Sequence, residues 1–247
     1  MFATRGAKIL DGTPNYVVIE KIGQVSSVKH FEGILGEVKE YVKEKGIRSV
    51  SIVLNEKEVL QTELTGVLEA FGYRMQEIQH LYERNLSSLN MNKQIESIEI
   101  KSLEQTKADV FKKVWMEARS GSLNAHNPHS ALSIEKEFEG MKSELGPNYI
   151  KSCLTAFYGK VPIGVTMPHI EPGTIHEGRL FYFGILPAYR NSGWGEVLHK
   201  RSLQMLKNIG ATHYIGATGH KNIPMQRIFQ VNGCQLFERK YTYRLKD

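Results

Sequence analysis

The sequence predicts a mixed α/β fold built as two α/β units in tandem, and three observations predict it. Short apolar runs, residues 50–54 and 180–183, have the composition of strands covered on both faces. Amphipathic stretches that close on glycine accompany them, residues 34–45 before Gly46 and residues 194–209 before Gly210. The spacing then recurs. Phe71-Gly72-Tyr73 parallels Asn232-Gly233-Cys234, Tyr82 follows Gly72 by ten residues, and Tyr243 follows Gly233 by ten. Such repetition points to duplication of one structural unit; two unrelated α/β units also produce spacings of this kind.

Residues 1–90 read as the first unit. Residues 3–10, the Asp11-Gly12 turn and residues 16–22 form a hairpin pattern. A helix over 34–45, a strand over 50–54, a helix over 64–71 ending at Gly72, and a long strand or strand pair over 74–86 follow. Residues 87–94, polar and weakly patterned, are the expected linker. The second unit, 93–247, opens with a strand over 95–100. Helices over 105–118 and 132–145 flank a loop, 120–129, that carries His126 and His129. Residues 149–158 and 161–167 form a hairpin about Gly159-Lys160. An exposed loop over 169–177, with Pro172-Gly173, leads to the strand at 180–186. After the helix at 194–209 come a short strand at 213–216, a helix following Asn222, and closing strands over 236–245.

A chain of 247 residues can bury one large core or two modest ones. Its 41% hydrophobic and 23% charged content is that of a soluble globular protein. No apolar run approaches the ~18 residues of a membrane span. Residues 1–10 carry Arg5 and Lys8 without an apolar core of signal-peptide length, so a cytoplasmic location is expected. Cys153 and Cys234 stand far apart without metal-ligand company, which reads as two small buried hydrophobes and no metal site. The net charge of +6 favours an anionic ligand and would also suit non-specific nucleic-acid contact. Zinc-finger spacing and long basic runs are absent, so nucleic acid is not the expected partner.

The stretch Ile185-Leu186-Pro187-Ala188-Tyr189-Arg190-Asn191-Ser192-Gly193-Trp194-Gly195 carries the chemistry. It reads as a strand end, a turn, and Arg-x-x-Gly-x-Gly at the mouth of a helix. A glycine-containing turn there presents free backbone N–H groups, and the helix dipole adds to their attraction for an anion. Gly193 and Gly195 lack side chains, so phosphates can approach the backbone. An ordinary strand-to-helix turn has the same pattern. The Rossmann and P-loop cradles, G-x-G-x-x-G after a strand and G-x-x-x-x-G-K-[ST], are absent.

The order of Ile185, Pro187, Arg190, Gly193, Gly195, then Asn222 and Met225, then Gly233-Cys234 and the closing strands resembles the GNAT superfamily of acyl-CoA N-acyltransferases. The resemblance covers residues 95–247 in layout and is most specific near the C-terminus. It implies a mixed, mostly antiparallel sheet flanked by helices. The first unit, with Phe31-Glu32-Gly33-Ile34-Leu35-Gly36 in place of the motif, is then an incomplete relative without a coenzyme A site. The resemblance further implies acetyl-CoA as co-substrate. Phe183, Gly184 and Ile185 would lie beside the pantetheine arm, and the backbone of Arg190, Asn191, Ser192, Gly193, Trp194 and Gly195 would hold the diphosphate. Arg190 would add charge. Asn222 is either a polar contact to the arm or a helix N-cap, or both.

Departures from the family pattern concern the acid and base. Many relatives place a Tyr seven residues after that Asn; here Phe229 stands there. Many carry a Glu on the central strand; here the strand offers Tyr182. Tyr182 is read as the candidate acid or as a pocket wall, and His220 as a candidate base or as a solvated loop residue. His126 and His129 fall on the loop that borders the acceptor pocket in the family. The expected activity is direct transfer of an acetyl group to a primary amine of a small molecule or peptide. A non-catalytic acyl-CoA-binding regulatory module is the alternative, and a homodimer is compatible with either.

Overall fold

The computed structural model describes residues 6–25, 27–89, 98–123 and 134–245. The chain divides into two compact units, with boundaries at Leu81/Tyr82 and Leu236/Phe237. The first unit opens with β1 (Lys8–Gly12) and β2 (Tyr16–Glu20), an antiparallel hairpin. Then come α1 (Val28–Lys45), β3 (Val50–Asn55), the short α2 (Glu56–Val59), α3 (Thr62–Ala70) and β4 (Tyr73–Asn85). β3 runs parallel to β2.

Helix α1 begins earlier than the expected residue 34. Ser27 caps it, accepting from the His30 N–H, and Phe31, Ile34, Leu35 and Val38 bury at helical spacing. Gly33, just before the expected helix, therefore sits inside it together with Gly36. Each costs about 1 kcal/mol relative to Ala, and burial of the four apolar side chains outweighs that. Those side chains pack with Ile19, Ile52, Leu54 and Leu68 into one apolar cluster.

The second unit contains β5 (Glu99–Ser102), α4 (Ala108–Arg119), α5 (Ile134–Leu145), α6 (Tyr149–Ser152), β6 (Leu154–Tyr158), β7 (Val161–Ile170), β8 (Glu177–Ile185), α7 (Trp194–Asn208), β9 (His213–Gly219) and α8 (Ile223–Val231). The expected strand at 149–158 thus begins as one helical turn. In order across the sheet the strands run β9-β8-β7-β6-β5. The pairs β5–β6, β6–β7 and β7–β8 are antiparallel, and β8–β9 is parallel. β7 is covered on both faces, which explains its continuous apolar run. Val165 and Met167 pack in the cluster of α4 and α5, while Thr166 shares a 2.8 Å hydrogen bond with Ser202 of α7.

The chain ends with β10 (Gln235–Leu245). From Phe237 onward this strand belongs to the first unit, where Lys240–Arg244 pair antiparallel with Ser51–Asn55 of β3. The expected single boundary near residue 90 differs for this reason. A strand remote in sequence completes the first sheet, and local patterning carries no signal of its partner. The helix-closing glycines singled out by the repeat, Gly46, Gly72, Gly210 and Gly233, all have positive φ. Among the described residues no helix is long and apolar enough to cross a membrane.

Stopping the chain after Leu236 removes the strand that supplies the buried Tyr243 and covers β3. The expected result is rapid proteolysis within residues 1–81 under conditions that leave the full chain intact. Equal resistance of the two proteins would show that the first unit does not need β10.

Candidate active site

The site is built on the parting of two strands. β8 and β9 pair at only two positions, Glu177 with His213 and Gly178 with Tyr214. Beyond that pair the register ends and a wedge opens between Arg179–Ile185 and Ile215–Gly219. A bulge deepens it. Phe183 is opposite Thr166 and Leu180 opposite Pro168, so two β8 residues, Phe181 and Tyr182, oppose Met167 alone. Two cavities occupy the wedge. One, of about 620 Å³, is lined by Gly184, Ile185, Asn191, Gly193, Gly195 and Arg227 among others. The second, of about 820 Å³, is lined by Trp115, Phe181, Ile215 and Phe229 among others. Tyr182, Phe183, Ser122, Asn222 and Met225 line both, so the two spaces meet there.

The turn after β8 shapes the end of the first cavity. Asn191 (φ 59°) and Gly193 (φ 82°) adopt left-handed backbone, a conformation that Gly and Asn take most readily. The N–H groups of Glu196 and Val197 bond to the Gly193 carbonyl. Those of Asn191, Ser192, Gly193, Trp194 and Gly195 have no acceptor among the described residues. Of these five, Asn191, Gly193 and Gly195 line the cavity, at the positive end of a 15-residue helix. The two glycines serve different ends. A Cβ at Gly193 would meet nothing within 4 Å, whereas one at Gly195 would lie 2.7 Å from Ile228 Cδ1. Gly195 lets α7 and α8 pack closely; Gly193 bends the turn.

The Arg190 side chain, expected to add charge, is engaged within the protein. The Arg190 guanidinium donates to the carbonyls of Ile185, Ala118, Ser120 and Gly121 at 2.8–3.3 Å. It caps the C-terminus of α4 and ties it to the turn, and its own N–H bonds to Pro187 O. The side chain of Trp194 packs on Tyr158, with ring centroids 4.8 Å apart, and is not among the residues lining either cavity. The Ser192 hydroxyl donates to Arg190 O. Neither Trp194 nor Ser192 lines a cavity.

Gly184 stands where a side chain has little room. A Cβ there would lie 2.9 Å from the Tyr182 ring and hydroxyl and 3.2 Å from Ala118 Cβ, so the Tyr182 ring lies across the strand at this point. Tyr182 meets Trp115 edge-on. Burial pushes its hydroxyl up to about 12, against smaller opposing influences of Arg119 and Arg190. The hydroxyl has no hydrogen-bond partner among the described residues. Asn222 is the N-cap of α8, accepting from Met225 N–H at 3.2 Å, and it also lines both cavities. His220 lies exposed on the turn before α8 and lines neither cavity. The structure thus brings Tyr182 and Asn222 together and leaves His220 apart. His126 and His129 lie outside the described residues.

Phe229 is buried, stacked on Tyr82 at 4.8 Å, and ringed by His199 and Tyr214. Cys153 and Cys234 are buried as expected, each pushed up to about 12 by burial. No cluster of three metal-ligating side chains occurs among the described residues. Sequence reading missed Arg227 and the charged rim of the larger cavity, Arg119, Lys136, Glu137, Glu144 and Arg179. Helical spacing from Asn222 would have placed Arg227 on α8, but nothing in the sequence says which way it faces.

A strand wedge thus faces a helix N-terminus at one end and meets a second pocket at Tyr182. Residues 112–233 match the Acetyltransferase (GNAT) family. A GCN5-related N-acetyltransferase from Sphaerobacter thermophilus superposes with TM-score 0.69 at 12% identity, over 96% of this chain and 75% of that one. A GCN5-related N-acetyltransferase from Kribbella flavida superposes with TM-score 0.59 at 12% identity, over 98% and 91%. The tandem GNAT protein from the clavulanic acid biosynthesis pathway gives TM-score 0.58 at 11% identity, over 96% and 77%. No curated protein matches the chain in sequence. Residues 112–233 thus form an acetyltransferase (GNAT) family domain, and the chain has the mixed, mostly antiparallel sheet flanked by helices of that fold, seen also in a tandem GNAT protein.

His199, beneath Phe183 and Phe229, makes its one described hydrogen bond through Nε2 with the Tyr214 hydroxyl, at 3.3 Å. Burial pushes its pKa down to about 3. The unfolded chain takes this proton below pH ~6.5 while the folded protein does not, so stability falls as pH drops from there toward 3. Between pH 7 and pH 5 the expected loss is up to about 2 kcal/mol from this residue. Urea unfolding of wild type and His199→Gln at both pH values checks it; an unchanged pH dependence in the variant would remove His199 as the cause.

Proposed function

We propose that this protein transfers an acetyl group from acetyl-CoA to a primary amine, by direct attack within a ternary complex. The observation that carries the reading is the junction at Tyr182, where the cavity lined by the turn at Asn191, Gly193 and Gly195 meets a second pocket. The residues present fit coenzyme A. The convergent donors suit a diphosphate, and the unpaired edge of β8 beyond Gly178 offers backbone groups to an amide-bearing arm. Acetyl-CoA would supply the activated thioester. An amine that arrives as an ammonium first loses a proton to solvent; the neutral nitrogen then forms the new C–N bond, the C–S bond breaks, and the second proton lost by nitrogen ends on sulfur.

Positioning and polarisation are then the protein's main contribution. Tyr182 is the donor available to the departing sulfur. With its pKa near 12 it keeps its proton throughout the working range. Full transfer to a thiolate of pKa ~8.5 is uphill by about 3 units, so its role is hydrogen bonding more than complete protonation. Removing the hydroxyl in Tyr182→Phe should lower kcat on the order of tenfold to a hundredfold. It should leave no change in any inflection of the pH–rate profile below about pH 11, since Tyr182 does not titrate there. Thiol release with a panel of primary amines measures both. Full activity in the variant would eliminate Tyr182 as the donor.

The non-catalytic acyl-CoA-binding reading is favoured by one observation, the buried Phe229 where many relatives carry the acid. Binding of coenzyme A without thiol release across the amine panel would establish it.

The anion's charge falls to a different arginine from the one in the motif. Arg190 is engaged by four carbonyls, whereas Arg227, exposed on α8, lines the coenzyme A cavity without an ion pair among the described residues. Arg227→Ala is expected to weaken coenzyme A binding about tenfold, one charge-assisted hydrogen bond, with stability unchanged. Arg190→Lys is expected to cost about 1–3 kcal/mol of stability, because an ammonium cannot satisfy the forked set of carbonyls. Calorimetric titration and urea unfolding of the two variants separate the roles; the reverse pattern would refute the assignment.

A further inference from the structure

The geometry points to a substrate class for the larger cavity: a primary amine borne on an aromatic or flat apolar body, with one cationic centre, held by Glu144. The inference rests on the acetyltransferase reading and narrows its acceptor. Its first ground is the wall. Half-buried Phe181, Tyr182 and Phe183 all line the cavity, which runs along the edge of β8 left unpaired beyond Gly178 and so meets consecutive residues, Arg179 to Phe183. Met225 and Ile215 continue this surface, and the buried Trp115, Tyr214 and Phe229 form its floor. The rings are braced edge-to-face: Tyr182 on Trp115, Phe181 on His169, Phe183 on His199. Rings fixed in this way favour a rigid apolar ligand, which loses little freedom on binding.

The second ground is the charge inventory. Two carboxylates line the cavity, Glu137 and Glu144. Arg119 holds Glu137 in an ion pair and lies 5.7 Å over the Trp115 ring, so that pair is already complete. Arg179 is engaged by Glu177 at 2.6 Å. Glu144 alone of the charged lining residues is exposed and without an ion pair or other partner among the described residues. One ammonium therefore finds one carboxylate. A polyamine or an amino sugar with several ammonium groups would face Arg119, Lys136 and Arg179 with a single carboxylate to receive it.

The test is a competition read in two ways. Phenethylamine and spermidine are each titrated into the protein saturated with coenzyme A, and each is then assayed for thiol release from acetyl-CoA. Phenethylamine should bind at least tenfold more tightly and show at least tenfold higher kcat/KM. Glu144→Gln should raise the KM for phenethylamine about tenfold with kcat nearly unchanged. It should leave the affinity for benzyl alcohol, which has no charge, unaltered. Preference for spermidine, or an equal response of Glu144→Gln to the charged and uncharged ligands, would overturn the inference while leaving the acetyltransferase reading intact. Preferential, Glu144-dependent binding of phenethylamine without thiol release would uphold the pocket's ligand class and refute the catalytic reading. Failure of phenethylamine to bind at all would overturn the inference.

Discussion

The parting of β8 from β9 after two paired residues is the constraint on which the second unit depends. A parallel pair that continued would bury its backbone groups in a ladder and leave no space for a ligand. Here the pairing at Gly178 and Tyr214 sets the vertex, and the bulge at Phe181-Tyr182 turns β8 away beyond it. Gly178 stands at that vertex because a Cβ would lie 2.9 Å from Ala211 and 3.2 Å from Leu206, so the strand can lie close to the end of α7. The backbone of β8 beyond the vertex is thus free on one edge and held by β7 on the other.

What keeps the wedge from collapsing is the packing around it. Arg190 ties the turn after β8 to the end of α4 through carbonyls that would otherwise lack donors. Asn232 donates to the Glu196 carbonyl at 3.1 Å, joining the end of α8 to the start of α7. Ile228 fills the space beside Gly195. The helix N-terminus that presents its donors to the cavity is therefore fixed by three side chains that need not touch a ligand. An arginine in a binding motif can serve the ligand by ordering the loop, and four carbonyl acceptors around one guanidinium are the observation that distinguishes this from direct contact.

The buried polar groups of this unit follow the same logic. His199 stays neutral because its ring is enclosed by Phe183, Tyr214 and Phe229, and no charge of opposite sign accompanies it. It supports the floor of the larger cavity through Tyr214 and takes no part in proton transfer at physiological pH. The phenylalanine at 229 belongs to this apolar enclosure, stacked on Tyr82. A hydroxyl in its place would need a partner there, whereas Tyr182 sits where two cavities meet.

The sequence by itself determined the elements whose cause is local. The run at 180–186 is a strand because its apolar residues are contiguous, Asn222 is a cap because its side chain reaches the N–H three residues on, and Gly193 is a left-handed turn residue for want of a Cβ. The helix-closing glycines and the tandem repeat were legible for the same reason. Tertiary structure alone decided the rest. Helix α1 extends back through Gly33 to Val28 because Phe31 reaches a core assembled by other strands. β10 returns to the first unit because β3 needs a partner there, and strand pairing is set by edges that sequence proximity does not record. Arg190 faces carbonyls, Trp194 faces Tyr158, and Arg227 lines the cavity because each direction depends on what neighbouring elements leave open. A motif specifies which backbone a turn can adopt; the packing of the surrounding helices specifies where its side chains go.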